Sequence, residues 1–171
     1  MGFDGIYRVY HRNEKTNEYE KLAFYDKEGK ELGNPFPSRD GMLNQLLLDY
    51  NRHGYNFEPI AYRRGVPEWY VEKLKVEEPE WFDENCGWTY NADEGTYYDY
   101  LELRGWAQGN ACEYADYFDE DCYDENEEEP RDALKRNPLK EFMAIVDTYL
   151  DAYNIWNPKP GDVYIIAEMS Y

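Results

Sequence analysis

The sequence predicts an α+β fold: a small, mainly antiparallel sheet made from an N-terminal hairpin and a C-terminal strand, with helices on one face and a long acidic, aromatic-rich insertion over 77–129 that the core does not need. Three observations point there. Residues 5–12 (GIYRVYHR) and 19–26 (YEKLAFYD) are rich in strand formers and flank the turn-forming NEKTNE. Residues 162–169 (DVYIIAEM) are apolar on both faces, as a strand inside a sheet is. Between these ends, apolar residues recur at helical spacing in two clear stretches. A length of 171 residues fits a single domain, 1–171.

Taken in order, the hairpin comes first, and Asp26-Lys27-Glu28-Gly29-Lys30 turns the chain so that Glu31-Leu32 can start a short third strand. Ser38 is an N-cap candidate for a helix over 39–52, with Leu43, Leu46, Leu47 and Tyr50 on one face and Gly54 ending it. Residues 58–63 (EPIAYR) predict a short strand. Pro67 opens a helix over 67–75 that carries Trp69, Tyr70 and Leu74. Residues 76–95 read as acidic loop. Over 96–103 (TYYDYLEL) propensity favours a strand, and a helix through Tyr97, Tyr100, Leu101 and Arg104 is the alternative. Asn110 and Glu113 form a capping-box pattern, with Ala111, Ala115, Phe118 and Cys122 as an apolar stripe behind it. Asn137-Pro138 starts the cleanest amphipathic helix, through Leu139, Phe142, Met143, Val146, Tyr149, Leu150 and Tyr153, and NPKPG at 157–161 ends it.

The formal net charge is −19, and it is segregated. Residues 1–75 carry 12 basic and 12 acidic residues, whereas 77–129 carry 19 acids against Arg104 alone. The stretch 113–129 (EYADYFDEDCYDENEEE) holds 10 acids in 17 residues. Charge this concentrated repels itself and weakens a fold, so it is easiest to explain by a strongly positive partner. A salt-adapted protein would spread its acids evenly, which the neutral first half contradicts. On a helix after Asn110, Glu113, Asp116, Glu120, Asp124 and Glu127 fall along one side.

Several chemistries find no motif here. Neither phosphate-binding glycine pattern is present, nor is H-E-x-x-H. His11 and His53 read as surface histidines. Cys86, Cys112 and Cys122 lack zinc spacing, and an odd count of three predicts a reducing, cytoplasmic setting. An EF-hand loop begun at Asp119 fails at Tyr123 and Asp124, although clustered carboxylates attract hard cations without that motif. With 37 acids, no carboxylate pair singles itself out for glycoside hydrolysis. The N-terminal residues carry neither a leader pattern nor an acylation pattern, and no apolar run is long enough to span a bilayer. A sequence pI of about 4.4 argues against direct contact with nucleic acid or anionic membrane. No cofactor, metal or catalytic residue is therefore assigned.

Aromatic residues interleave with the acids: Tyr90, Tyr97, Tyr98, Tyr100, Tyr114, Tyr117 and Tyr123, with Trp81, Trp88 and Trp106. A purely solvating tail has few aromatics. Carboxylates take Arg and Lys, and rings stack on guanidinium, so this mixture predicts a surface for a basic protein. The candidate contacts are Glu113, Asp116, Tyr117, Asp119, Glu120, Asp121, Asp124, Glu127 and Glu128, with Asp99 ahead of them. In kind, the acidic half resembles the small acidic phage and plasmid proteins that imitate DNA and disable host defence, the anti-CRISPR and antirestriction inhibitors. The resemblance carries over no single residue. What it implies is a non-enzymatic inhibitor whose carboxylates occupy phosphate positions in a basic groove. An immunity protein against a basic nuclease toxin would use the same electrostatics, and an enzyme without a visible motif is the remaining alternative. Oligomeric state stays open, with a dimer through an exposed hairpin edge among the options.

Overall fold

The first and last strands of the chain meet in the middle of one sheet. A computed structural model describes residues 4–50, 60, 64–86, 90–109 and 137–170. Strand β1 (Asp4–Arg12) pairs with β2 (Tyr19–Leu22) on one side and β4 (Val163–Ser170) on the other; β3 (Thr96–Asp99) closes the antiparallel order β2-β1-β4-β3. The hairpin and the central C-terminal strand are as the sequence predicts. The return strand is shorter, because the chain leaves β1 after Leu22 and retains only a bridge between Tyr25 and Glu31.

Alternation sorts the side chains. Leu22, Val9, Ile165 and Tyr98 form one row across all four strands on the main core face. Arg8, Tyr10, Ile166 and Glu168 point to the opposite face. Helix α1 (Gly41–Leu48), α3 (Tyr100–Gly109) and α4 (Pro138–Ala152) contribute to the main core. Helix α2 (Glu68–Glu77) covers the opposite face through Tyr70 and Leu74. The helices are therefore divided between two faces and are not gathered on one: the even-numbered apolar residues of β1 and β4 leave a second surface that must also be covered.

Local chemistry explains the element ends. Asp40, not Ser38, caps α1, accepting the Leu43 N–H at 3.2 Å, while the Ser38 carbonyl accepts the Gly5 N–H at 2.7 Å. Asp49 ends the helix in the left-handed region at φ 51°, ahead of the expected Gly54. Tyrosine hydroxyls fasten α1 to the sheet: Tyr7 donates to Asn44 Oδ1 at 2.5 Å, and Tyr98 donates to the Leu47 carbonyl at 2.7 Å. Asn137 caps α4 by accepting the Lys140 N–H at 3.0 Å, with Pro138 in the first turn. Tyr153, expected inward, is 40% exposed, and its hydroxyl donates to the Ala23 carbonyl.

The ambiguous stretch 96–103 is both things in turn, strand through Asp99 and helix from Tyr100. This corrects the view of 77–129 as an insertion that the core does not need. Tyr98, Tyr100, Leu103 and Ala107 are all buried in the main core, so residues 96–109 are part of the fold. Of the strand expected over 58–63, only Ile60 and no strand is described; the acidic helix expected after Asn110 lies outside the described residues.

Phe142 sits at the centre of the main core, 5.1 Å from the Tyr7 ring and 4.8 Å from the Phe36 ring between centroids. Phe142→Ala is expected to destabilise the protein by about 3–5 kcal/mol in urea unfolding. A loss under about 1 kcal/mol would contradict this packing.

Candidate functional site

The acidic half begins where α2 ends. Residues 77–94 carry seven acids and no Lys or Arg. Pro79 cannot continue α2, and the chain passes into three short 3₁₀ turns, Pro79–Phe82, Glu84–Cys86 and Ala92–Glu94. Polar and apolar residues separate across this path. Glu77, Glu80, Asp83, Glu84, Asp93 and Glu94 are exposed. Trp81, Phe82 and Tyr90 turn inward onto the second core, beside Tyr10, Tyr70, Leu74 and Ile166. Trp81 and Tyr90 stack with centroids 6.0 Å apart, and the Tyr90 N–H donates to the Trp81 carbonyl at 2.7 Å. The result is an acidic shelf, rings below and carboxylates above. Crowding of negative charge shows at Glu78: burial raises its pKa, and Glu80, Glu168 and Glu77 add to the rise against the pull of Arg8.

Beneath the shelf lies a buried polar cluster. Glu168 on β4 is 8% exposed. Its Oε2 accepts Arg8 Nη1 at 2.5 Å and the Tyr70 hydroxyl at 2.7 Å, and its Oε1 accepts the Tyr90 hydroxyl. Arg8 also donates to the Tyr70 oxygen at 2.7 Å. Strand register makes the central pair possible: Ile6 faces Glu168 and Arg8 faces Ile166, so Arg8 and Glu168 are diagonal neighbours on one face. Burial pulls the Arg8 pKa down, but Tyr70 and Glu168 outweigh it and the net shift is upward. Burial, then Glu168, pushes the Tyr70 and Tyr90 hydroxyls far above their usual range, so both hold the protons they donate. Gly95 brings the backbone close to this site; a Cβ there would lie 2.7 Å from Val66 Cγ1 and 3.3 Å from Glu168 Cγ.

Of the residues that the sequence nominates for partner contact, Asp99 is described. It is half-buried at the β3–α3 junction, where Oδ1 accepts the Leu101 N–H at 2.9 Å and Oδ2 accepts the Gly161 N–H at 2.7 Å. Both oxygens therefore serve the fold. Glu113, Asp116, Tyr117, Asp119, Glu120, Asp121, Asp124, Glu127 and Glu128 lie outside the described residues. Nearby, Arg64 pairs with Glu102 at 3.1 Å and covers the Tyr97 and Tyr98 rings at 4.9 and 5.1 Å, a cation–π contact. Sequence reasoning missed the Arg8–Glu168 cluster. The available signal was Glu168 itself, an acid inside the apolar run VYIIAEM.

Among the described residues, no cluster of three or more His, Cys, Asp or Glu is arranged to hold a metal ion, and no helix is long and apolar enough to cross a membrane. No protein-family model matches the chain, and neither a curated protein nor a solved structure matches it.

Removing one partner of a buried ion pair strands the other, at a typical cost of about 3–5 kcal/mol. Arg8→Ala is expected to lose that much stability by chemical denaturation. A variant within about 1 kcal/mol of the parent would mean that Glu168 is wetter than its surroundings indicate.

Proposed function

We propose that the protein is an acidic binding protein that blocks a basic nucleic-acid-handling protein of host defence, a nuclease or a CRISPR effector, by presenting carboxylates where phosphates would sit. The observation that carries this is charge segregation: residues 77–129 hold 19 acids and one Arg, while 1–75 are neutral. Six exposed acids of the shelf support it, since they are offered together above a ring-packed base. A groove evolved for a polyanion is the strongest positive surface such a face can meet. Inhibition then needs occupancy alone, with no covalent step.

The electrostatics set the kinetics. Opposed fields raise association rates by roughly 10–1000-fold at low salt, and the gain is lost as ions screen it. After capture of the partner by pull-down, association rates measured across a salt series are expected to fall steeply; rates flat from low to high salt would reject the mimicry. The 113–129 run supplies 10 of the acids. Changing Glu113, Asp116, Glu120 and Asp124 to neutral amides is expected to slow association and relieve inhibition in a nuclease-competition assay, with the melting temperature unchanged. Full inhibition by that variant would exclude the run as the contact.

A further inference from the structure

We propose that Glu168 is a positioning residue: its carboxylate latches the acidic shelf to the sheet through the Tyr90 hydroxyl. The shelf has reason to move. Its turns are 3–4 residues long, too short to be stable alone, and its exposed acids repel one another. Tyr90 carries a tie back to the sheet, because its hydroxyl donates to Glu168 Oε1 while its ring packs against Trp81 and Phe82. The same carboxylate engages α2 through Tyr70 and β1 through Arg8. One buried carboxylate thus serves three elements, and Arg8 sits against it as its ion-pair partner. A hydrogen bond to an ionised group is stronger than a neutral one, and burial strengthens it further. The latch fixes the height and orientation of Glu80, Asp83, Glu84, Asp93 and Glu94 above the sheet. Its value for binding rests on the proposed function; the latch itself does not.

Tyr90→Phe tests it with little disturbance, since the ring stays and only the hydroxyl leaves. Hydrogen exchange on the protein alone is the readout, so the result does not depend on whether the shelf meets a basic partner. In Tyr90→Phe the amides of 79–86 and 90–94 are expected to exchange about tenfold faster or more, the factor a lost bond to a charged group implies, while β1 and β4 amides keep parental rates. Tyr70→Phe removes the other hydroxyl from the same carboxylate and is expected to speed exchange in α2 but not in the shelf. Unchanged shelf exchange in Tyr90→Phe would overturn the proposal. Equal loosening of the shelf in both variants would overturn it too, because that is general destabilisation and not a latch.

Discussion

The pairing of β1 with β4, from Asp4 opposite Ser170 to His11 opposite Val163, is the constraint on which the other elements depend. It joins the two ends of the described chain, so the described elements between them pack back against one sheet. It also decides, by alternation alone, which side chains face which layer. Tyr7, Val9, Ile165 and Ala167 go to one side; Arg8, Tyr10, Ile166 and Glu168 go to the other. A register shift of one residue would exchange these sets and place an arginine and a glutamate in the main core.

The two faces have different chemistry. The main core is largely aliphatic, with Leu43, Leu47, Leu103, Leu139, Val146 and Ile165 fully buried. The second core is aromatic and edged by partly buried rings: Trp69 stacks on Tyr19 with centroids 4.3 Å apart and meets Tyr10 edge-on at 5.2 Å. Tyrosine suits such a layer, because its ring can be buried while its hydroxyl reaches a polar partner. That property lets the second core hold an ion pair, with Tyr70 and Tyr90 supplying donors that Glu168 would otherwise take from water. It also explains why 19 tyrosines are compatible with a low share of hydrophobic residues.

The acidic half is thus not one thing. Residues 96–109 supply an edge strand and a helix of the main core, and Tyr100 on α3 donates to Asp147 on α4 at 2.6 Å. Burial, then Asp147, pushes that hydroxyl up to about 12. Residues 77–94 instead lay a thin acidic surface over the second core. A protein with a net charge of −19 gathers like charge against its own stability, and here part of that charge is seated on structure that resists it.

Much of the fold was legible in residue order. Alternation in β1, the two-faced apolar run of β4, the Asn137-Pro138 start of α4 and the charge segregation are local patterns, and local patterns survive without knowledge of what packs where. The lengths of β2 and α1 and the split of 96–103 were not legible, because tertiary contacts chose among conformations of similar local propensity: Tyr98 is strand since Ile165 lies beside it, and Tyr100 is helix since Asp147 lies above it. The division of helices between two faces followed from how much of the sheet's second side remained apolar. Residue order marks Glu168 as an acid inside an apolar run but does not reveal the cluster around it, since that joins residues 8, 70, 90 and 168. The sequence by itself determined the types of β1, β4 and α4 and where the charge lies. Among the described residues, the tertiary structure alone decided which acids serve the fold and which are exposed, because hydrogen bonds and burial depend on distance in space and not on order along the chain.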